Sequence, residues 1–355
     1  MEFKRSTENY GLTDDVKKDV KDFLDANEKI VAIPGTECLW FYYDGKPIGS
    51  VKKGQWKKFS SSYNDAVREK GLTEDFFKKQ YDRRDYYLNP SLVKIIKDAF
   101  VDKFKNQIER KSQQVIVLNH QSFEPDKFSI CGMETTIPEK DLERTTRGNG
   151  KQVEIDMVAI RPAKQEILLI EYKCTKAATT GDIKNSLETW NKDKVNKNIA
   201  EHFKDYLAIM EACKTCKNKQ FVCEIINAYN CLASLRDKET SIKLEDADKY
   251  VDNMKIVFLF TDRKDDESTK EELTTKLYKN VIEYITKLET NYKTRLEEVY
   301  KDKCDEKIKD YIDNFDNTLY YIASKPKEVN LNDESNDENK FVDLHKLKKH
   351  IDKKA

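Results

Sequence analysis

Long apolar runs are what this 355-residue chain most plainly lacks. No stretch holds eighteen consecutive apolar residues, so no membrane-spanning helix is expected. The first residues, MEFKRSTENYGLTDDVKK, lack the apolar core of a signal peptide, and the expected location is the cytoplasm. Net charge is also lacking: 65 basic residues face 65 acidic ones. Any nucleic-acid binding must therefore use a local patch, since the global field offers none. No disulfide framework is expected either, because the eight cysteines belong to a cytoplasmic chain and read as thiols or metal ligands. His120, His202, His345 and His350 are scattered without ligand spacing, and no internal repeat is visible. What remains is a charged, globular chain long enough for two or three domains.

Residues 1–88 read as an N-terminal α+β accessory unit. A polar helix near Leu12–Asn27 leads into ECLWFYYDGKPIGSVKKGQWKKF, where Asp44-Gly45 between β-prone runs signals a hairpin. Trp40, Phe41, Tyr42, Tyr43 and Trp56 are interleaved with Lys52, Lys53, Lys57 and Lys58. That mixture could stack on bases, but an ordinary small β-core explains it more simply.

Residues 89–264 read as an α/β sandwich. Asn89-Pro90-Ser91 opens a helix whose apolar face is Leu92, Ile96, Phe100, Phe104 and Ile108. Strands are expected at Gln114–Leu118 and Phe128–Thr135, and a polar loop at Thr145–Gln152. VEIDMVAI and EILLIEYKC, separated only by Arg161–Gln165, suit two adjacent antiparallel strands. Ile183, Leu187, Trp190, Ile199, Phe203, Tyr206 and Met210 recur at mostly helical spacing, and a second helix is expected at Phe221–Leu235. Lys255–Thr261 is a continuous apolar strand of the kind buried on both faces. Residues 265–355 form a charged helical region, helical from about Ser268 to Ser324. A flexible linker near 330–340 and a short amphipathic tail follow.

The chemistry concentrates on the two paired strands. Residues two apart on a strand share a face, so Glu171 and Lys173 lie side by side, and Asp156 on the neighbouring strand can join them. Ile155, Met157 and Val158 hem in one strand and Ile167–Ile170 the other. Ionisable groups beside such a core are costly unless paired or bound to metal. Two facing carboxylates repel, and a divalent cation removes that repulsion. The acid-any-lysine pattern alone is weak, because Asp15-Val16-Lys17 and Asp19-Val20-Lys21 satisfy it too; the apolar strand context singles out the central set. The alternative is a structural salt bridge between Glu171 and Lys173.

With these residues in place, the middle of the chain resembles the PD-(D/E)XK, or restriction-endonuclease-like, superfamily over roughly Asn89–Asp262. Asp156 matches the first motif acid and Glu171-Tyr172-Lys173 the (D/E)XK tripeptide, with Ile155 at the nominal proline position. The resemblance implies an α-β-β-β-α-β core, Mg²⁺ with Mn²⁺ able to substitute, and phosphodiester hydrolysis, most simply as a DNA endonuclease. Asp156 and Glu171 would hold metal, and Lys173 would serve the nucleophile and the transition state. Many members carry a further acid on the first core helix. Here Asp98, Asp102 and Glu109 fall roughly opposite the apolar face and are not aimed at the sheet. Glu154 and Glu134 are the candidate substitutes, each equally readable as a solvated acid.

Lys176, Lys184, Lys192, Lys194 and Lys197 follow the active strand and could track a phosphate backbone, or simply form a solvated helix face. Cys213-Lys214-Thr215-Cys216 has zinc-knuckle spacing that Cys223 and Cys231 could complete, although cysteines in an apolar helix are commonly core residues. A homodimer would pair two active sites. The rival functions are a non-catalytic nucleic-acid-binding or scaffold protein retaining the fold, and a ribonuclease of a defence or toxin system.

Overall fold

The computed structural model describes residues 5–57, 108–137, 153–175, 219–262, 318–323 and 325–332, together with Tyr206, Ile209, Met210 and Cys213. The protein is a mixed α/β structure with two sheets and several helices. Short α1 (Thr7–Tyr10) and amphipathic α2 (Asp14–Asp25) precede a four-stranded antiparallel sheet. Its strands are β1 (Val31–Pro34), β2 (Leu39–Tyr43), β3 (Lys46–Lys52) and β4 (Gln55–Lys57). Thr13 opens α2 by accepting the Val16 N–H on its side chain. The expected hairpin is present: Tyr43 pairs with Lys46, leaving Asp44 and Gly45 as the turn at φ 51° and 77°. Positive φ at both positions is what a type I′ turn requires. Phe41 stacks on Trp56 at 5.2 Å with Phe23 edge-on to both, and all three are buried. Of the aromatic run, Phe41 and Trp56 thus serve the core.

The second sheet has the order β5-β6-β7-β8-β9. These strands are β5 (Ser129–Ile137), β6 (Val153–Arg161), β7 (Glu166–Thr175), β8 (Met254–Asp262) and β9 (Leu319–Ala323). β6 pairs antiparallel with both β5 and β7, while β8 runs parallel to both β7 and β9. Helix α3 (Ile108–Asn119) precedes β5; α4 (Lys219–Ser234) and α5 (Ala247–Asp252) lie between β7 and β8 in sequence. Two hydrophobic clusters use the central sheet. Ile155, Ile160, Ile167, Leu169 and Phe258 pack with α2, α4 and the first sheet. Met157, Leu168, Ile170, Tyr172 and Leu259 pack with α3 and with Val31 and Ile33 of β1. The first sheet therefore shares buried residues with both clusters, and a buried ion pair from Arg5 to Glu224 on α4 ties the chain's start to the same core.

Three expectations change. Gln114–Leu118 is helical, not a strand. Its β-branched Val115-Ile116-Val117 run favours extension, but Ile116 and Val117 are buried while Val115 is the exposed one, and packing overrides propensity. Leu319–Ala323, expected as helix, is a strand that adds to β8; its β-prone Leu-Tyr-Tyr-Ile run completes the parallel ladder. The expected flexible linker does not include Asn330–Asn332. Leu331 is buried and its N–H donates to His120, while Asn332 accepts the Phe128 N–H and donates back to its carbonyl. Residues 89–107, 176–200, 263–317 and 333–355 lie outside the described residues, and so do the expectations placed on them.

Candidate active site

The site forms where the β6–β7 ladder ends. Backbone pairing runs from Arg161–Glu166 to Met157–Ile170 and no further. The next two positions in that register are Asp156 and Glu171, so the two strand acids face each other just past the last rung. There the Tyr172 N–H donates to Asp156 Oδ2 at 2.8 Å, where a backbone carbonyl of β6 would otherwise accept it. The side-chain alternation of β6 also slips at this point. Val153 and Ile155 join the same cluster as Val158 and Ile160, while Met157 joins the other. Opposite the slip, Glu134 on β5 has φ 49°, a left-handed conformation costing roughly 1–2 kcal/mol for a side chain that is not glycine.

Lys173 gathers the acids. Its Nζ lies 2.8 Å from Glu171 Oε1, 3.1 Å from Glu109 Oε1 and 3.7 Å from Asp156 Oδ2. Glu171 is fully buried, so its carboxylate depends on such partners. Burial works against the charged ammonium, but Glu171, Asp156 and Glu109 outweigh it and hold the Lys173 pKa well above its ordinary value. Partial burial and the Asp156 charge push the Glu109 carboxyl upward against the pull of Lys173.

Glu109 corrects the sequence reading. On α3, Glu109, Gln113, Ile116 and His120 follow one another at three- and four-residue spacing, and the last three are buried. The face turned to the sheet is thus partly polar, and a search for apolar periodicity could not find it. The helix acid, expected to point away from the sheet, is in the site.

Tyr206 is, in sequence, one position of an apolar helical repeat. Its fully buried hydroxyl donates to Glu171 Oε2 at 2.7 Å and accepts the Asp156 N–H at 3.3 Å. The only sequence signal for this role is a hydroxyl-bearing residue within a run of otherwise apolar core positions.

Of the weaker candidates, Glu134 pairs with Arg110, Nε to Oε1 at 2.6 Å. Burial lifts its carboxyl, and the Glu154 and Asp156 charges add to that, so it stands at about 7 despite the guanidinium. Glu154 is partly buried on β6, two residues before Asp156. Cys213, Cys223 and Cys231 are buried free thiols, and burial raises the pKa of each. Cys216 lies outside the described residues, as do Lys176, Lys184, Lys192, Lys194 and Lys197.

The donor chemistry of the site is hard carboxylate oxygen, which suits Mg²⁺ or Mn²⁺ rather than a soft metal. Among the described residues no three His, Cys, Asp or Glu side chains are spaced to share one ion as they stand. At the acid cluster the Lys173 ammonium lies between the carboxylates. Asp156 and Glu171 are the pair suited to hold a divalent cation, with Glu109 beside them. Among the described residues no helix is long and apolar enough to cross a membrane. No family model, curated protein or solved structure matches the chain.

Proposed function

We propose that this chain is a Mg²⁺-dependent nuclease that hydrolyses phosphodiester bonds in DNA from a restriction-endonuclease-like core, acting in the cytoplasm. The observation that carries the reading is the convergence of Asp156, Glu171 and Glu109 on one lysine at the open end of a β-ladder. The element order α3-β5-β6-β7-α4-β8 supports it, as does the mixed pairing around β7.

Asp156 and Glu171 would hold the metal, which when bound would polarise a phosphate oxygen and acidify a water. Three carboxylates keep Lys173 protonated, so it acts as a hydrogen-bond donor and positive charge, not as a general base. It orients the attacking water and stabilises negative charge developing on the phosphate. Glu109 and Tyr206 are positioning residues: the first holds the ammonium, and the second fixes one oxygen of Glu171. The N-terminal sheet and the C-terminal residues would bind substrate or a partner, and a homodimer would present two sites to a duplex.

The test is cleavage of supercoiled and linear DNA with Mg²⁺ or Mn²⁺, with an RNA arm, beside Asp156→Ala and Lys173→Ala. Wild-type cleavage that both substitutions abolish is expected; equal cleavage by all three proteins overturns the assignment. A second reading is favoured by the 2.8 Å Lys173–Glu171 pair itself. In that reading the acids are neutralised internally and the protein binds nucleic acid without cutting it. Calorimetric titration with Mn²⁺ separates the two, since only the nuclease reading requires binding that Asp156→Ala removes.

A further inference from the structure

The β2–β3 turn, α3 and β5 meet beside the acid cluster. The β2–β3 turn presses on α3: a Cβ at Gly45 would lie 2.7 Å from both Arg110 C and Lys111 N. Gln114 fastens the contact, accepting the Gly45 N–H at 2.7 Å and donating to the Lys29 carbonyl at 2.6 Å. Asp44 pairs with Lys111 at 2.5 Å. This docking carries Lys46, the residue after the turn, to the neighbourhood of Arg110 and Glu134. Burial and the Arg110 charge lower the Lys46 pKa, while Glu134 raises it. Glu134 in turn stands opposite Asp156, because its neighbours Met133 and Thr135 pair with Met157 and Ile155. Arg110 thus holds a carboxylate roughly 5 Å of strand spacing from the candidate metal-binding acid, with Lys46 beside the adjoining turn.

We infer that Arg110, assisted by Lys46, is a phosphate-binding subsite of the DNA strand being cut, and that Glu134 is the internal anion the phosphate displaces. The proposal rests on the nuclease reading for its substrate. The Arg110 side chain is 40% exposed, whereas its carboxylate partner Glu134 is 16% exposed, so Arg110 is the more open to solvent of the two. A guanidinium held by one carboxylate is already shaped for a phosphate, because both anions accept the same planar fork of N–H groups. The left-handed backbone at Glu134 marks a conformation that packing enforces against a local cost.

The experiment is fluorescence-anisotropy titration of a labelled DNA oligonucleotide, duplex and single-stranded, with Ca²⁺ in place of Mg²⁺, over a range of salt. Arg110→Ala should weaken binding about tenfold and reduce the salt slope by about one charge. Arg110→Lys should recover part of the affinity but not the fork geometry. Glu134→Gln should tighten binding several-fold by releasing Arg110, and Arg110→Ala with Glu134→Gln should match Arg110→Ala alone. Circular dichroism and thermal melting confirm that each variant folds. Weaker binding in Glu134→Gln together with lost Mn²⁺ affinity would make Glu134 a metal ligand and overturn the proposal. Unchanged affinity and slope in Arg110→Ala and Arg110→Lys, or no binding by the wild type, would do the same. The cleavage assay decides the nuclease reading separately, since the subsite can fail while Asp156-dependent cleavage persists.

Discussion

The Tyr206 hydroxyl stands between the two strand acids, donating to Glu171 Oε2 at 2.7 Å and accepting the Asp156 N–H at 3.3 Å. Burial and the surrounding carboxylates push its own pKa well above the phenolic range, so it remains a donor. Tyr206→Phe keeps the ring and deletes the bridge, leaving a buried carboxylate oxygen and a backbone N–H each short of a partner. A stability loss of about 1–3 kcal/mol is expected in urea denaturation. If the nuclease reading holds, cleavage falls as well, with unchanged fold by circular dichroism. A Tyr206→Phe protein as stable and as active as the wild type would deny the hydroxyl both roles.

If the nuclease reading holds, Lys173 competes with a cation for the oxygens of Glu171 and Asp156. Lys173→Met should destabilise the protein by roughly 3 kcal/mol in chelator, because fully buried Glu171 then lacks its 2.8 Å partner. Added Mn²⁺ should raise the melting temperature of Lys173→Met more than that of the wild type, since the site is then open to the metal. Scanning calorimetry with and without Mn²⁺ reads both effects. A structural salt bridge alone gives the destabilisation without the metal rescue.

His120 makes stability depend on pH. Its Nδ1 lies 2.7 Å from the Ile116 carbonyl and its Nε2 accepts the Leu331 N–H at 2.9 Å, so the ring is neutral with the proton on Nδ1. Burial lowers its pKa from the ordinary value of about 6.5. The unfolded chain therefore takes up the proton first. This contribution to stability is complete above about 6.5 and is lost as pH falls below that value and through the folded pKa, at up to about 1.4 kcal/mol per pH unit. Urea midpoints compared between about pH 7.5 and about pH 5 should fall more in wild type than in His120→Gln. Parallel pH dependence in the two proteins would contradict this role.

Gly45 admits no side chain. Its φ is 77°, and a Cβ there would meet backbone atoms of Arg110 and Lys111 at 2.7 Å, so Gly45→Ala faces both conformational and steric resistance. A loss exceeding about 1 kcal/mol is expected in chemical denaturation. Gln114→Leu tests the same junction from the helix side. It strands the Gly45 N–H and the Lys29 carbonyl, and its loss should be of similar size.

The hairpin at Asp44-Gly45, the antiparallel pair β6–β7 and the buried strand β8 were legible in the sequence, because each is written in local chemistry: positive-φ residues, alternation broken by a short loop, a continuous apolar run. The same logic exposed Asp156, Glu171 and Lys173, since charges embedded in apolar strands contradict their surroundings. Contacts between distant segments were not legible. Val115-Ile116-Val117 has strand propensity but sits in a helix, because burial of Ile116 and Val117 against the sheet outweighs a few tenths of a kcal/mol per residue. Leu319–Ala323 became a strand because β8 offered it a partner. Sequence determined which residues carry charge into the core of this protein. Tertiary structure decided their company: Glu109 from α3 and Tyr206 reach Lys173 and Glu171 across 64 and 35 residues, and no local periodicity encodes a meeting between side chains that far apart.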